Sequence, residues 1–65
     1  MRINNLHYNA YAGAFEASVD IQREGRTFRY PCRLFGPQSM DPSTVAAGLA
    51  GRALRMSDTE SGYAK

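Results

Sequence analysis

The stretch that decides the fold is FEASVDIQREGRTFRYPCRL, residues 15–34. Apolar and polar residues alternate at period two on both sides of Glu24-Gly25, the pattern of two half-buried strands joined by a tight turn. Gly25 supplies the positive φ of a two-residue type I′ loop, and Glu24 takes the position that more often holds Asn or Asp. With Arg23 opposite Arg26, the pairs that follow are Ile21 with Phe28, Val19 with Tyr30, Ala17 with Cys32 and Phe15 with Leu34, all on one face. The other face sets Asp20 against Arg29 and Glu16 against Arg33, opposite charges directly across the ladder. Pro31 provides a check. Counted from the turn it pairs with Ser18 at a non-hydrogen-bonded site, where its absent N–H would point out of the ladder, so it suits an edge strand.

Upstream, Ala12-Gly13 reads as a second tight turn, which places Ala10 opposite Phe15, Tyr8 opposite Ala17 and Leu6 opposite Val19 on the same face. The expected sheet is a three-stranded antiparallel β-meander over about 3–11, 14–23 and 26–35, with the middle strand central. A slip of one residue would turn Leu6, Tyr8, Val19 and Ile21 to water together, so the apolar pattern should hold the register firmly.

Downstream, Asp41-Pro42 is a helix start: Asp as N-cap, and Pro at the first helical position, where its missing N–H costs nothing. A helix over about 42–56 places Val45, Ala46, Leu49, Ala53 and Met56 on one stripe, widened by Ala50 and Leu54, to cover the apolar sheet face. Arg52 and Arg55 then fall in the last turn, complementing the helix dipole, and Gly48 and Gly51 fall on the opposite face. Residues 57–65 are polar and patternless and read as a flexible C-terminal tail. The expected architecture is one α+β domain over residues 1–56, a βββα arrangement with one sheet face covered and one bare.

Composition narrows the chemistry. A chain of 65 residues makes one domain near the lower size limit for folding on packing alone. Cys32 is the single cysteine, so no internal disulfide forms, and one Cys with one His cannot build a metal site without borrowed carboxylates or a second subunit. No Gly-rich phosphate loop is present, and no cofactor is expected. The opening Met1-Arg2-Ile3-Asn4-Asn5 has no apolar signal region, and no stretch approaches the ~20 apolar residues of a membrane span, so a cytoplasmic location is expected. The net charge is +2, and seven of the eight cations are Arg, the side chain that pairs best with planar carboxylate or phosphate.

On the expected bare face, His7 lies opposite Ser18 with Asp20 on the diagonal. An open sheet gives that trio no pocket, no oxyanion donors and no protection from water, so enzymatic activity is not expected. Binding is the better reading. Tyr11, Ala14 and Phe35 form one expected row, rimmed by Asn9 and Arg33, and aromatics with Arg are the residue types that dominate protein interfaces. The expected first strand, 3–11, carries no Pro, Asp, Glu, Lys or Arg, leaving an edge free to pair. The function expected is therefore a small binding module for an unidentified protein or for a second copy through that edge. The alternative is a weak nucleic-acid-binding domain using Arg23, Arg26, Arg29 and Arg33, against which Glu16 and Asp20 stand on the central strand.

Overall fold

A computed structural model describes residues 1–63, with side-chain surroundings through residue 58. Three strands, β1 (Arg2–Asn9), β2 (Ala14–Arg23) and β3 (Arg26–Phe35), form one antiparallel sheet in the order β1-β2-β3, and a helix, α1 (Pro42–Tyr63), packs on one face. The architecture is α+β in two layers, as the alternation and the cap signal require.

The β2–β3 hairpin has the expected register at every position, from Arg23 opposite Arg26 to Ala14 opposite Phe35. Glu24 at φ +52° and Gly25 at φ +75° give the two left-handed residues of a type I′ turn. The sheet sends Ala17, Val19, Ile21, Tyr30 and Cys32 into the core, where Val45, Leu49 and Ala53 of α1 meet them. Cys32 is buried, and that burial pushes its thiol pKa up.

β1 corrects the expectation. The turn before β2 spans residues 10–13 rather than Ala12-Gly13 alone: the Gly13 N–H donates to the Asn9 carbonyl at 2.9 Å, and the Ala12 N–H donates to Asn9 Oδ1 at 3.2 Å. This loop puts only Gly13, at φ +66°, in the left-handed region. A two-residue type I′ turn would have forced Ala12 there too, at a cost of about 1–2 kcal/mol. The ladder is consequently displaced, and Tyr8 lies opposite Phe15 with ring centroids 4.8 Å apart, edge to face. The Tyr8 hydroxyl donates to the Gly36 carbonyl at 3.0 Å, fixing this end of β1 to the chain beyond β3.

A second shift follows within β1. The ladder runs Asn9 to Ala14, Tyr8 to Phe15 and His7 to Glu16, then resumes with Asn4 opposite Ser18, Ile3 opposite Val19 and Arg2 opposite Asp20. Asn5 and Leu6 together span the place of Ala17, which is a β-bulge. Asn5 sits at φ +56°, a conformation Asn tolerates better than most residues. The bulge reverses the facing of the residues before it. Ile3, which unbroken alternation from Leu6 would put on the bare face, packs against the core, while Leu6, expected opposite Val19, is 48% exposed.

The helix begins as expected. Asp41 Oδ2 accepts from the Ser43 N–H at 3.1 Å and the Thr44 N–H at 3.3 Å, with the Ser43 hydroxyl donating to the same oxygen. It does not end at Met56. Residues 57–63, expected as tail, continue α1 to Tyr63, and residues 64–65 lie outside the described residues. The buried line is Val45, Leu49, Ala53 and Ser57, so Leu54 and Met56 are exposed, against expectation. Asp58 pairs with Arg23 Nη2 at 2.6 Å, tying the extended helix to the end of β2. Arg52 and Arg55 accordingly lie mid-helix and do not cap its dipole. Gly48 faces the sheet: a Cβ there would stand 2.8 Å from Leu34 Cδ2. Among the described residues, no helix is long and apolar enough to cross a membrane.

Candidate interaction face

The sheet face away from α1 carries four rows that cross all three strands in the bulged register. They are Arg2 with Asp20 and Arg29; Asn4 with Ser18 and Pro31; His7 with Glu16 and Arg33; and Asn9 with Ala14 and Phe35. The two acids of β2 occupy the middle and collect donors from both sides. Asp20 accepts from Arg29 Nε at 2.8 Å and Nη2 at 3.3 Å, a two-pronged contact, and from Asn4 Nδ2 at 3.0 Å. Glu16 takes Arg33 Nη2 at 2.6 Å, His7 Nε2 at 3.1 Å and Asn9 Nδ2 at 3.3 Å.

These contacts set the titration behaviour. The Arg29 hydrogen bonds hold Asp20 below the usual carboxylate range, with Asn4 assisting, and Asp20 in turn raises Arg29. Arg33 does the same for Glu16, assisted by His7 and Asn9. The acid side chains are only 15% and 21% exposed, while Arg29 and Arg33 are 62% and 51% exposed. The face therefore has an inner acidic layer under an outer layer of guanidinium groups.

The bulge adds a feature that the alternating pattern could not show. Asn5, His7, Glu16, Ser18, Pro31 and Arg33 line an open groove of about 450 Å³ on a face expected to be featureless. At its rim His7 Nδ1 lies 2.8 Å from the Asn5 carbonyl, and this bond, followed by Glu16, raises the imidazole pKa above 6.5. His7 is not opposite Ser18, and Asp20 is committed to Arg29 and Asn4, so the trio that would resemble a nucleophile relay is not assembled. No cluster of three His, Cys, Asp or Glu side chains suited to a metal occurs among the described residues.

The four residues expected to bind a partner gather at one end of this face in altered roles. Phe35 is 63% exposed at the end of β3, and the Arg33 guanidinium lies 5.9 Å from its ring centroid. Tyr11 has moved from a strand row to the 10–13 loop, where it is fully exposed. A bond from the Gly36 N–H to the Gly13 carbonyl, 3.0 Å, ties that loop to the end of β3. Asn9 is turned to structural work, bonded to Glu16 and to the 10–13 loop.

The arginines expected to meet nucleic acid are dispersed into ion pairs: Arg23 with Asp58, Arg29 with Asp20 and Arg33 with Glu16. Arg26 stands exposed beside the turn. Both outer edges of the sheet are interrupted. The bulge at Asn5 and Leu6 breaks the regular spacing of β1, and Pro31 removes one outward N–H from β3. Sequence reasoning missed the pairing of His7 with Glu16, because it hangs on the four-residue loop at 10–13 that sets the ladder from Asn9 to His7. Comparisons with known proteins found no matching family model, curated protein or solved structure.

Proposed function

We propose that the chain is a small non-enzymatic protein-binding module whose partner is a second copy of itself, met through the Tyr11 and Phe35 end of the sheet. The observation that carries this reading is Phe35, a large aromatic side chain 63% exposed on a regular strand with Arg33 stacked beside it. Aromatic and Arg side chains supply most of the binding energy at protein interfaces. The interrupted strand edges favour contact through side chains rather than the edge pairing expected of residues 3–11. A domain this small has a thin core, and covering exposed apolar surface in a dimer would add stability that its own packing cannot. Nucleic-acid binding is the weaker reading, because most of the cations it needs already hold carboxylates. A cytoplasmic setting accords with Cys32, a thiol with no second cysteine to pair with.

Sedimentation equilibrium over about a hundredfold range of concentration tests the proposal. The mass should rise from monomer to dimer in the native chain and stay at monomer in Phe35→Ala and Tyr11→Ala, with their circular dichroism unchanged. A native chain that stays monomeric throughout contradicts it.

A further inference from the structure

We propose that His7 is a proton-operated latch on the β1 bulge: its imidazolium form holds residues 2–5 in register against β2, and loss of the proton loosens them. The proposal is independent of self-association. It starts from the two partners of the ring. Nδ1 lies 2.8 Å from the Asn5 carbonyl and Nε2 lies 3.1 Å from Glu16 Oε1. A carbonyl oxygen and an ionised carboxylate only accept, so both ring nitrogens must carry hydrogen, and a neutral imidazole has only one N–H. Only the cation makes both contacts as hydrogen bonds at once.

The bond from Nδ1 reaches the residue that makes the bulge. Asn5 sits in the left-handed region at φ +56°, and both Asn5 and its neighbour Leu6 are exposed, so burial does not fix the two bulge residues themselves. Beyond it, residues 2–4 are held by the ladder to Ser18, Val19 and Asp20 and by the Asn4 side chain on Asp20. When the proton leaves, one nitrogen presents a lone pair to an oxygen at contact distance, and one of the two bonds is lost. The charged groups facing His7 are Glu16 from β2 and, through Glu16, Arg33 from β3; its own strand brings Asn5 and Asn9, and α1 lies on the opposite side of the sheet. The same two contacts raise the imidazole pKa in the folded chain, which fixes the sign. The latch is closed below pH 6.5 and opens as pH rises through the folded value.

The chain has one histidine, so its ring signals in NMR are unambiguous. The experiment follows the His7 titration together with hydrogen-exchange protection factors, corrected for intrinsic rate. Asn4 and Ser18 face each other at a hydrogen-bonded site next to the bulge and report the latch; Val19 and Tyr30, in the β2–β3 hairpin, are the control. The expected result is a midpoint above 6.5, with protection at Asn4 and Ser18 falling about threefold to tenfold through it while the control amides stay constant. Glu16→Gln should lower the midpoint, and His7→Gln should make the Asn4 and Ser18 protection independent of pH. A native midpoint at or below 6.5, or protection at Asn4 and Ser18 that does not change through it, overturns the proposal.

Discussion

Ser57 is the residue whose chemistry fits its place least well. It lies 1% exposed on the inward line of α1, and its hydroxyl finds no hydrogen-bond partner among the described residues. A buried hydroxyl without a partner gives up its water for nothing in return. Ser57→Ala removes that penalty and improves helix propensity, so it should stabilise the chain by about 1–2 kcal/mol in urea unfolding. A loss of stability would mean that the hydroxyl is bonded in solution. Two other residues carry local cost, Asn5 and Glu24, both non-glycine at positive φ. Glu24 was legible in the sequence because Gly25 follows it and alternating strands flank both. Asn5 was not: Asn is depleted in strands, but it falls inside the run read as the first strand, and nothing beside it marks a bulge.

At the scale of elements, the two helix glycines separate. A Cβ at Gly51 would meet nothing within 4 Å, whereas one at Gly48 would press on Leu34 at 2.8 and 3.0 Å. Gly51→Ala should therefore stabilise by about 0.5–1 kcal/mol, the propensity gain alone. Gly48→Ala should gain less or lose, because Leu34 must shift within a packed layer. Thermal melts of the two variants make the comparison, and equal gains would place Gly48 away from the sheet. The sequence placed both glycines on the outer face, but Gly48 flanks the buried Val45 and Leu49 closely enough for the Leu34 side chain to lie against it.

The strands show the same division between what a pattern can and cannot reveal. The β2–β3 hairpin was readable in full because turn type, cross-strand charges and Pro31 all specify one register. β1 was misread because its register depends on a four-residue loop and on a bulge. Both are settled by tertiary facts: the Tyr8 hydroxyl reaching Gly36 and Ile3 packing on the core. Asn9 followed by Gly13 was the available local signal, an Asn that accepts from the loop and a Gly that can close it. The aromatic end was identified in composition but not in placement, since Tyr11 belongs to the loop and not to a strand row.

For the molecule as a whole, the charged face sets a pH window. Glu16 and Asp20 have folded pKa values below their unfolded ones, so their contribution is complete above 4.5 and is lost as pH falls through the folded values. His7 has the opposite sign, complete below 6.5 and lost as pH rises through its folded value. The melting temperature should therefore peak between pH 4.5 and 6.5 and fall on both sides. In Glu16→Gln both limbs should flatten, because that carboxylate serves Arg33 and His7 alike. A native profile that climbs steadily from pH 5 to 8 would contradict this pairing.

The central claim is that the Tyr11 and Phe35 end of the sheet is a contact surface. Its most direct test is the solution mass of the native chain and of Phe35→Ala, measured across concentration with and without mixed-sequence duplex DNA. A native dimer that Phe35→Ala returns to monomer, with no response to DNA, is the predicted result. A native chain that stays monomeric at every concentration, or that changes mass only when DNA is added, would contradict it.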